Sequence, residues 1–209
     1  MTIRLWTKIK MINLYDYLHN KTICLVGGKN NFEIGDQDIV VRVNQHVLRQ
    51  GGRCDGLITE VVEPCELKNL PIPPIFMGYR MLGTYTEDYK KYAKKCPIRF
   101  DFQNEKYDKI NPHGVEYEWS NILNWEMNAK PFTGMLALKF LTFFPIKSVF
   151  VTGMDMHINS CDKLKTLDDK IILRRDAHDI APQLQWLRQI SHCDKRIILC
   201  DDLIKVIYG

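Results

Sequence analysis

Short β-branched runs that stop abruptly at glycine or asparagine constrain this fold more than any other feature of the sequence. Ile23-Cys-Leu-Val26 ends at Gly27-Gly28, Ile39-Val-Val-Arg-Val43 ends at Asn44, and Lys147-Ser-Val-Phe-Val-Thr152 closes on Gly153. Runs this short and apolar suit strands buried on both faces, because a strand with one wet face alternates apolar and polar residues. Further strands are expected at Asp55–Thr59, Pro73–Met77 (limited by its prolines), Ile98–Phe102 and Arg196–Cys200. Helical stretches fall at residues 12–19, 86–95, 119–128 and 178–191. In the last, Ile180, Leu184, Leu187 and Ile190 recur at three- and four-residue spacings. Another helix, capped by Thr133 and stopped by Pro145, is apolar almost all round except Lys139 and Thr142, and should be buried. Strands alternating with helices specify an α/β fold, with a mostly parallel, Rossmann-like sheet covered on both faces.

The 209 residues suffice for one domain, 1–209, with a real core. The polar, turn-rich residues 103–118 read as a loop, and 159–176 carry mixed charge with no clean period. A net charge of +4 permits binding to an anion or to nucleic acid and requires neither. Seven cysteines, an odd number with no Cys-x-x-Cys pair, argue against a zinc site or a disulfide framework and fit a reducing compartment. The first ten residues have scattered charges and lack the apolar core of a signal peptide. No stretch is long enough to cross a bilayer, so a cytoplasmic location is expected.

Several strand ends carry residues suited to a nucleotide. Gly27-Gly28-Lys29-Asn30 follows a strand, so its amides can face a phosphate, or it is simply a tight turn. It matches neither Gly-x-Gly-x-x-Gly nor a Walker loop. Asn44 can donate to and accept from a base or ribose, or can bond the adjoining turn. Thr133 and Gly134 open the buried helix at its positive end, where an anion or sugar hydroxyl is favoured. His178, just before a helix, is either a general base or a surface histidine. His157, two residues past Asp155, can donate to a leaving phosphate or lie in an exposed loop. Arg174-Arg175 is either a solvated face or a steering site for an anionic acceptor. Asp36-Gln-Asp38 looks like a metal-binding Asp-x-Asp pair but precedes a strand instead of following one, and reads as a turn.

Taken together, Cys24 to Asn44 with its Arg42-Val-Asn44, Pro131-Phe-Thr-Gly134 running to Gly153-Met-Asp155, and the late His178 resemble the sialyltransferases of glycosyltransferase families 29 and 42. The resemblance spans roughly residues 22–58 and 130–190 and includes the order of the parts. It implies a sialyltransferase-like variant of the GT-A fold and metal-independent, inverting transfer from a CMP-sialic-acid type of donor, with no cofactor. Gly28 and Asn30 would lie near phosphate and ribose, Asn44 would contact the nucleotide, and Thr133 with Gly134 would hold the ribose or the donor carboxylate. His178 would deprotonate the acceptor, and residues 159–176 would form a lid. The chain departs from the family pattern where a phosphate-holding tyrosine is replaced by His157. Cys24 would be one half of the animal enzymes' disulfide, but no cysteine stands near residues 144–147 to complete it. The animal enzymes' acidic residue after the histidine has only Gln183 near it. Two other functions fit the same pattern. One is transfer from a UDP-sugar to hydroxymethylated cytosine in DNA, suggested by compact size and by Lys90-Lys91, Lys94-Lys95 and Arg174-Arg175. The other is a non-catalytic module that binds nucleotide or nucleic acid.

Overall fold

The computed structural model describes residues 13–28, 34–44, 52–59, 74–79, 96–101, 126–129, 131–154 and 180–209. Seven strands form one sheet: β1 (Thr22–Val26), β2 (Ile39–Val43), β3 (Gly56–Thr59), β4 (Phe76–Tyr79), β5 (Ile98–Asp101), β6 (Ser148–Thr152) and β7 (Ile197–Leu199). Their order across the sheet is β5-β4-β3-β2-β1-β6-β7, and each of these pairings is parallel. The α/β class expected from the strand pattern is the one observed. Strand β4 begins later than the sequence suggests, at Phe76 and not Pro73, because prolines cannot donate to a ladder.

The described helices are α1 (Leu14–Leu18), α2 (Thr133–Thr142), α3 (Ile180–Cys193) and α4 (Asp201–Tyr208). The last of these is absent from the sequence reading, which stops at the final strand. Helix α2 is buried except at Lys139 and Thr142, the two positions that break its apolar surface. It packs on the sheet face formed by Ile23, Leu25, Val41, Ile58, Val149 and Val151. The side chains of Trp186, Leu187, Leu203 and Ile207 join the same core from α3 and α4. Glu126 links two of these helices. One oxygen pairs with Lys139 Nζ at 2.6 Å and the other accepts from Trp186 Nε1 at 3.0 Å. On the opposite face of the sheet Cys24, Val26 and Val40 form a smaller cluster with Ile34 and Phe150.

Charged side chains organise the amino ends of the strands. Asp38 Oδ2 accepts from both Thr22 N and Thr22 Oγ1 at 2.8 Å, which fits the turn reading of Asp36-Gln-Asp38. Asp55 Oδ2 accepts from Val40 N at 2.8 Å and pairs with Arg53 Nε at 2.7 Å. Arg196 lies against Asp194 at 2.6 Å and donates to the carbonyls of Thr142 and Phe144, which close the end of α2.

Hydrogen bonds from Thr22 hold the Asp38 carboxyl below its usual pKa, and those from Arg196 do the same for Asp194. A depressed folded pKa gives stability that is present above the unfolded value, near ~4, and is lost as pH falls through the folded value. The urea midpoint is therefore expected to fall as pH drops below about 4. It should fall less steeply in Asp194→Asn. Identical slopes in the two proteins would remove Asp194 from this account.

Candidate functional site at the strand-order reversal

The chain builds outward from β1 through β2 to β5, then returns to place β6 on the other side of β1. In a parallel sheet such a reversal leaves a crevice beyond the carboxyl ends of the two flanking strands. In folds of this kind helices begin at that edge, and the positive end of a helix favours an anion there.

Three glycines meet at this reversal. Gly27 follows β1 and donates its N–H to Thr152 O at 2.9 Å. A Cβ on Gly27 would lie 2.4 Å from Gly153 O and 2.8 Å from Gly153 C, both backbone atoms that cannot swing away. Gly153 adopts φ +65°, a left-handed conformation that turns the chain off β6. Gly134, in the first turn of α2, would place a Cβ 2.9 Å from Met154 Sδ. Met154 Cγ would in turn lie 2.6 Å from a Cβ on Gly27. The buried thioether of Met154 thus fills the gap between the end of β1 and the start of α2. Gly28 differs from its neighbour, since a Cβ there would meet nothing within 4 Å. Gly27 serves close packing, and Gly28 borders open space.

Thr133 is not the N-cap that its residue type suggests. Phe132 occupies that position and no side chain caps the helix locally. The N–H of Phe132 itself donates to Gln183 Oε1 of α3 at 2.7 Å, so a distant side chain takes the bond that the third helical residue takes in a capping box. Thr133 is buried at the first helical position. Asn44 takes φ +58° at the end of β2 and donates its N–H to Ile58 O at 2.9 Å. Asparagine tolerates this left-handed conformation better than most residues. Its backbone therefore bonds the neighbouring strand, while the residue stands on the same sheet edge as Gly27.

Arg42 of the Arg-Val-Asn sequence points elsewhere. It is fully buried and its Nε donates to Arg53 O at 2.9 Å. A Cβ on Gly52, which has φ +95°, would lie 2.9 Å from Arg42 Nη2. Burial lowers the pKa of Arg42. Burial also pushes the neighbouring thiols up, Cys24 to about 11 and Cys54 to about 12, so both are held as neutral SH groups. Among the described residues Cys24, Cys54, Cys96, Cys193 and Cys200 are free thiols.

The structure thus brings Gly27, Gly134 and Met154 into contact, with Gly28 beside them and Asn44 one strand away. Lys29, Asn30, Asp155, His157, Arg174, Arg175, His178 and the suggested lid at 159–176 lie outside the described residues. Two contributors went unassigned in the sequence. Met154 looks like a strand-end apolar residue. Gln183 shares its helix face with Trp186 and Leu187, and a polar residue on that stripe was the available signal. Among the described residues no group of three or more His, Cys, Asp or Glu side chains could hold a metal, and no helix is long and apolar enough to cross a membrane.

No family model and no curated protein matches the chain. Among solved structures it is similar to the sialyltransferase CstII from Campylobacter jejuni in complex with a substrate analogue, CMP-3FNeuAc. That similarity covers 86% of this chain and 78% of the other, at 12% identity and a TM-score of 0.44. A likeness at this level assigns no residue a role.

Proposed function

We propose that the protein is a glycosyltransferase that moves a sugar from a pyrimidine-nucleotide donor, of the CMP-sialic-acid type, to an acceptor hydroxyl. The reading is carried by the convergence of its two motifs on one place. The Gly27-Gly28 turn and the Thr133-Gly134 helix start, far apart in sequence, flank the crevice at the strand-order reversal. The amides there suit a phosphate, and Asn44 suits a base or ribose. His178 takes the proton from the acceptor hydroxyl as its oxygen bonds to the anomeric carbon. The bond from that carbon to the phosphate oxygen breaks, and CMP leaves with the electron pair. Transfer inverts the anomeric centre, and the mechanism requires no metal. His157 is positioned in sequence to donate to the leaving phosphate.

A thermal-shift series with CMP, UDP and their sugars tests the donor class. Ligand at 100 times its Kd is expected to add about 2.7 kcal/mol of stability, a rise of several degrees. CMP should give that rise and UDP should not. Stabilisation by UDP alone, followed by labelled sugar appearing on hydroxymethylcytosine DNA, would replace this reading with DNA modification. Binding without turnover for any donor and acceptor would leave a nucleotide-binding module. No response to either nucleotide would remove the proposal.

A further inference from the structure

One side chain stands between the two segments on which the proposed donor site depends. Met154 follows Gly153, whose φ of +65° turns the chain off β6. Its Cγ would lie 2.6 Å from a Cβ on Gly27, and its Sδ and Cε 2.9 and 3.0 Å from a Cβ on Gly134. The unbranched thioether therefore runs from the end of β1 to the first turn of α2, with a glycine at each end of its path. We infer that Met154 is a positioning residue for the nucleotide. It sets the separation between the Gly27-Gly28 turn and the Thr133–Gly134 helix start, and so whether one ligand can touch both.

A core methionine ordinarily adapts to its surroundings, because it is unbranched and flexible. Met154 has little such freedom, since its backbone is tied to β1. The Gly27 N–H donates to Thr152 O at 2.9 Å, and Val26 pairs with Thr152 in the sheet. Gly27 also approaches Gly153 so closely that a Cβ on it would lie 2.4 Å from Gly153 O. The Gly27 side of the gap is thus fixed, and the reach of the side chain decides where the first turn of α2 stands. No side-chain cap holds that helix start locally. Met154 also lies at the rim of the core, 9% exposed against 0% for Leu25, Val26 and Leu136. A change in its shape is therefore felt at the crevice, while the core beneath stays packed.

The functional consequence rests on the proposed glycosyltransferase reading, in which amides of both segments face the donor. Leucine has nearly the volume of methionine, and such swaps usually cost little stability. Its shape differs where it counts. It branches at Cγ, the carbon that passes Gly27, and it ends short of Cε, one of the two atoms that face Gly134. The spacing of the two segments should therefore change although the core remains filled. A hydrogen bond from an amide to an ionised phosphate is among the stronger ones in proteins, and its loss weakens binding about tenfold or more.

The test compares the native chain with Met154→Leu, Met154→Ala and Met127→Leu, the last changing a buried methionine elsewhere in the core. In NMR spectra of the native protein the Met154 methyl should show a nuclear Overhauser contact to Gly134. The amide signals of Gly28 and Gly134 should both move in M154L and stay in place in M127L. Titration with CMP, or with UDP where the native chain prefers it, should show affinity reduced about tenfold in M154L and further in M154A. M127L should bind as the native chain does. A residue that only fills space would lower the melting temperature of M154A and leave the affinity of M154L unchanged, or lowered no more than that of M127L. Either result, or a missing contact between the Met154 methyl and Gly134, overturns the inference. Should M154A fail to fold, the comparison of M154L with M127L still decides the matter. Absence of any nucleotide binding would defeat the glycosyltransferase reading, while the methyl contact and the paired glycine signals would still show whether Met154 sets the spacing.

Discussion

Replacement of His178 by alanine is expected to lower sugar transfer about 10²–10⁴-fold while leaving stabilisation by CMP intact. In free energy that is roughly 3–5 kcal/mol of barrier, all of it in the chemical step. The separation follows from the roles assigned. In the proposed mechanism strand-end amides and the start of α2 hold the donor, whereas the imidazole acts only on the incoming hydroxyl. The native pH profile of kcat/KM should carry an acid limb, where the base becomes protonated. That limb should vanish with the side chain. Measuring CMP release and sugar transfer in the same reaction checks both parts. A variant with full activity would exclude His178 as the base. A variant with lost nucleotide binding would place the histidine on the donor.

The second large effect concerns two adjacent glycines that respond differently. Gly27→Ala is expected to lose about 3 kcal/mol, because overpacking against backbone has no flexible neighbour to absorb it. The new methyl would lie 2.4 Å from Gly153 O, and relieving it means prying β1 from β6 at the centre of the sheet. For a chain of this size the melting temperature should fall by about 6–12 °C. Gly28→Ala, whose methyl would meet nothing within 4 Å, is expected to stay within about 0.5 kcal/mol. Urea unfolding of both variants checks the contrast. Equal losses would mean that Gly27 and Gly153 do not make the close approach described. The same pair also separates stability from binding. Gly28→Ala, although stable, places a methyl at the open side of the crevice and is expected to weaken CMP binding.

The strands were readable because burial on both faces leaves a plain mark. Ile39–Val43 is entirely buried, and its sequence contains no alternation to mislead. Helix α2 was readable for the same reason, down to the two positions that escape the core. Local composition could not reveal partners that come from far away. Thr133 looks like a cap because threonine often is one, but the acceptor at that helix start comes from Gln183. Arg42 reads as half of an Arg-x-Asn signature, while its side chain serves the interior near Arg53 and Gly52. The different duties of Gly27 and Gly28 were hidden for a related reason, since only the second strand, β6, distinguishes them. Helix α4 was missed although Ile204 and Tyr208 stand one turn apart on its exposed side and Leu203 and Ile207 on its buried side. That pattern fits in two turns, too short a window for period alone to be decisive.

The strand order has a consequence for biosynthesis. As the polypeptide leaves the ribosome, β1 can find β2 almost at once, but its other edge must wait for Ser148 and the residues beyond it. Until then the middle of the future sheet exposes an unsatisfied row of peptide groups, the kind of edge that recruits stray chains. Closing so long a loop is slow. Translation speed and holding chaperones should therefore govern the yield of this protein more than the stability of its finished form.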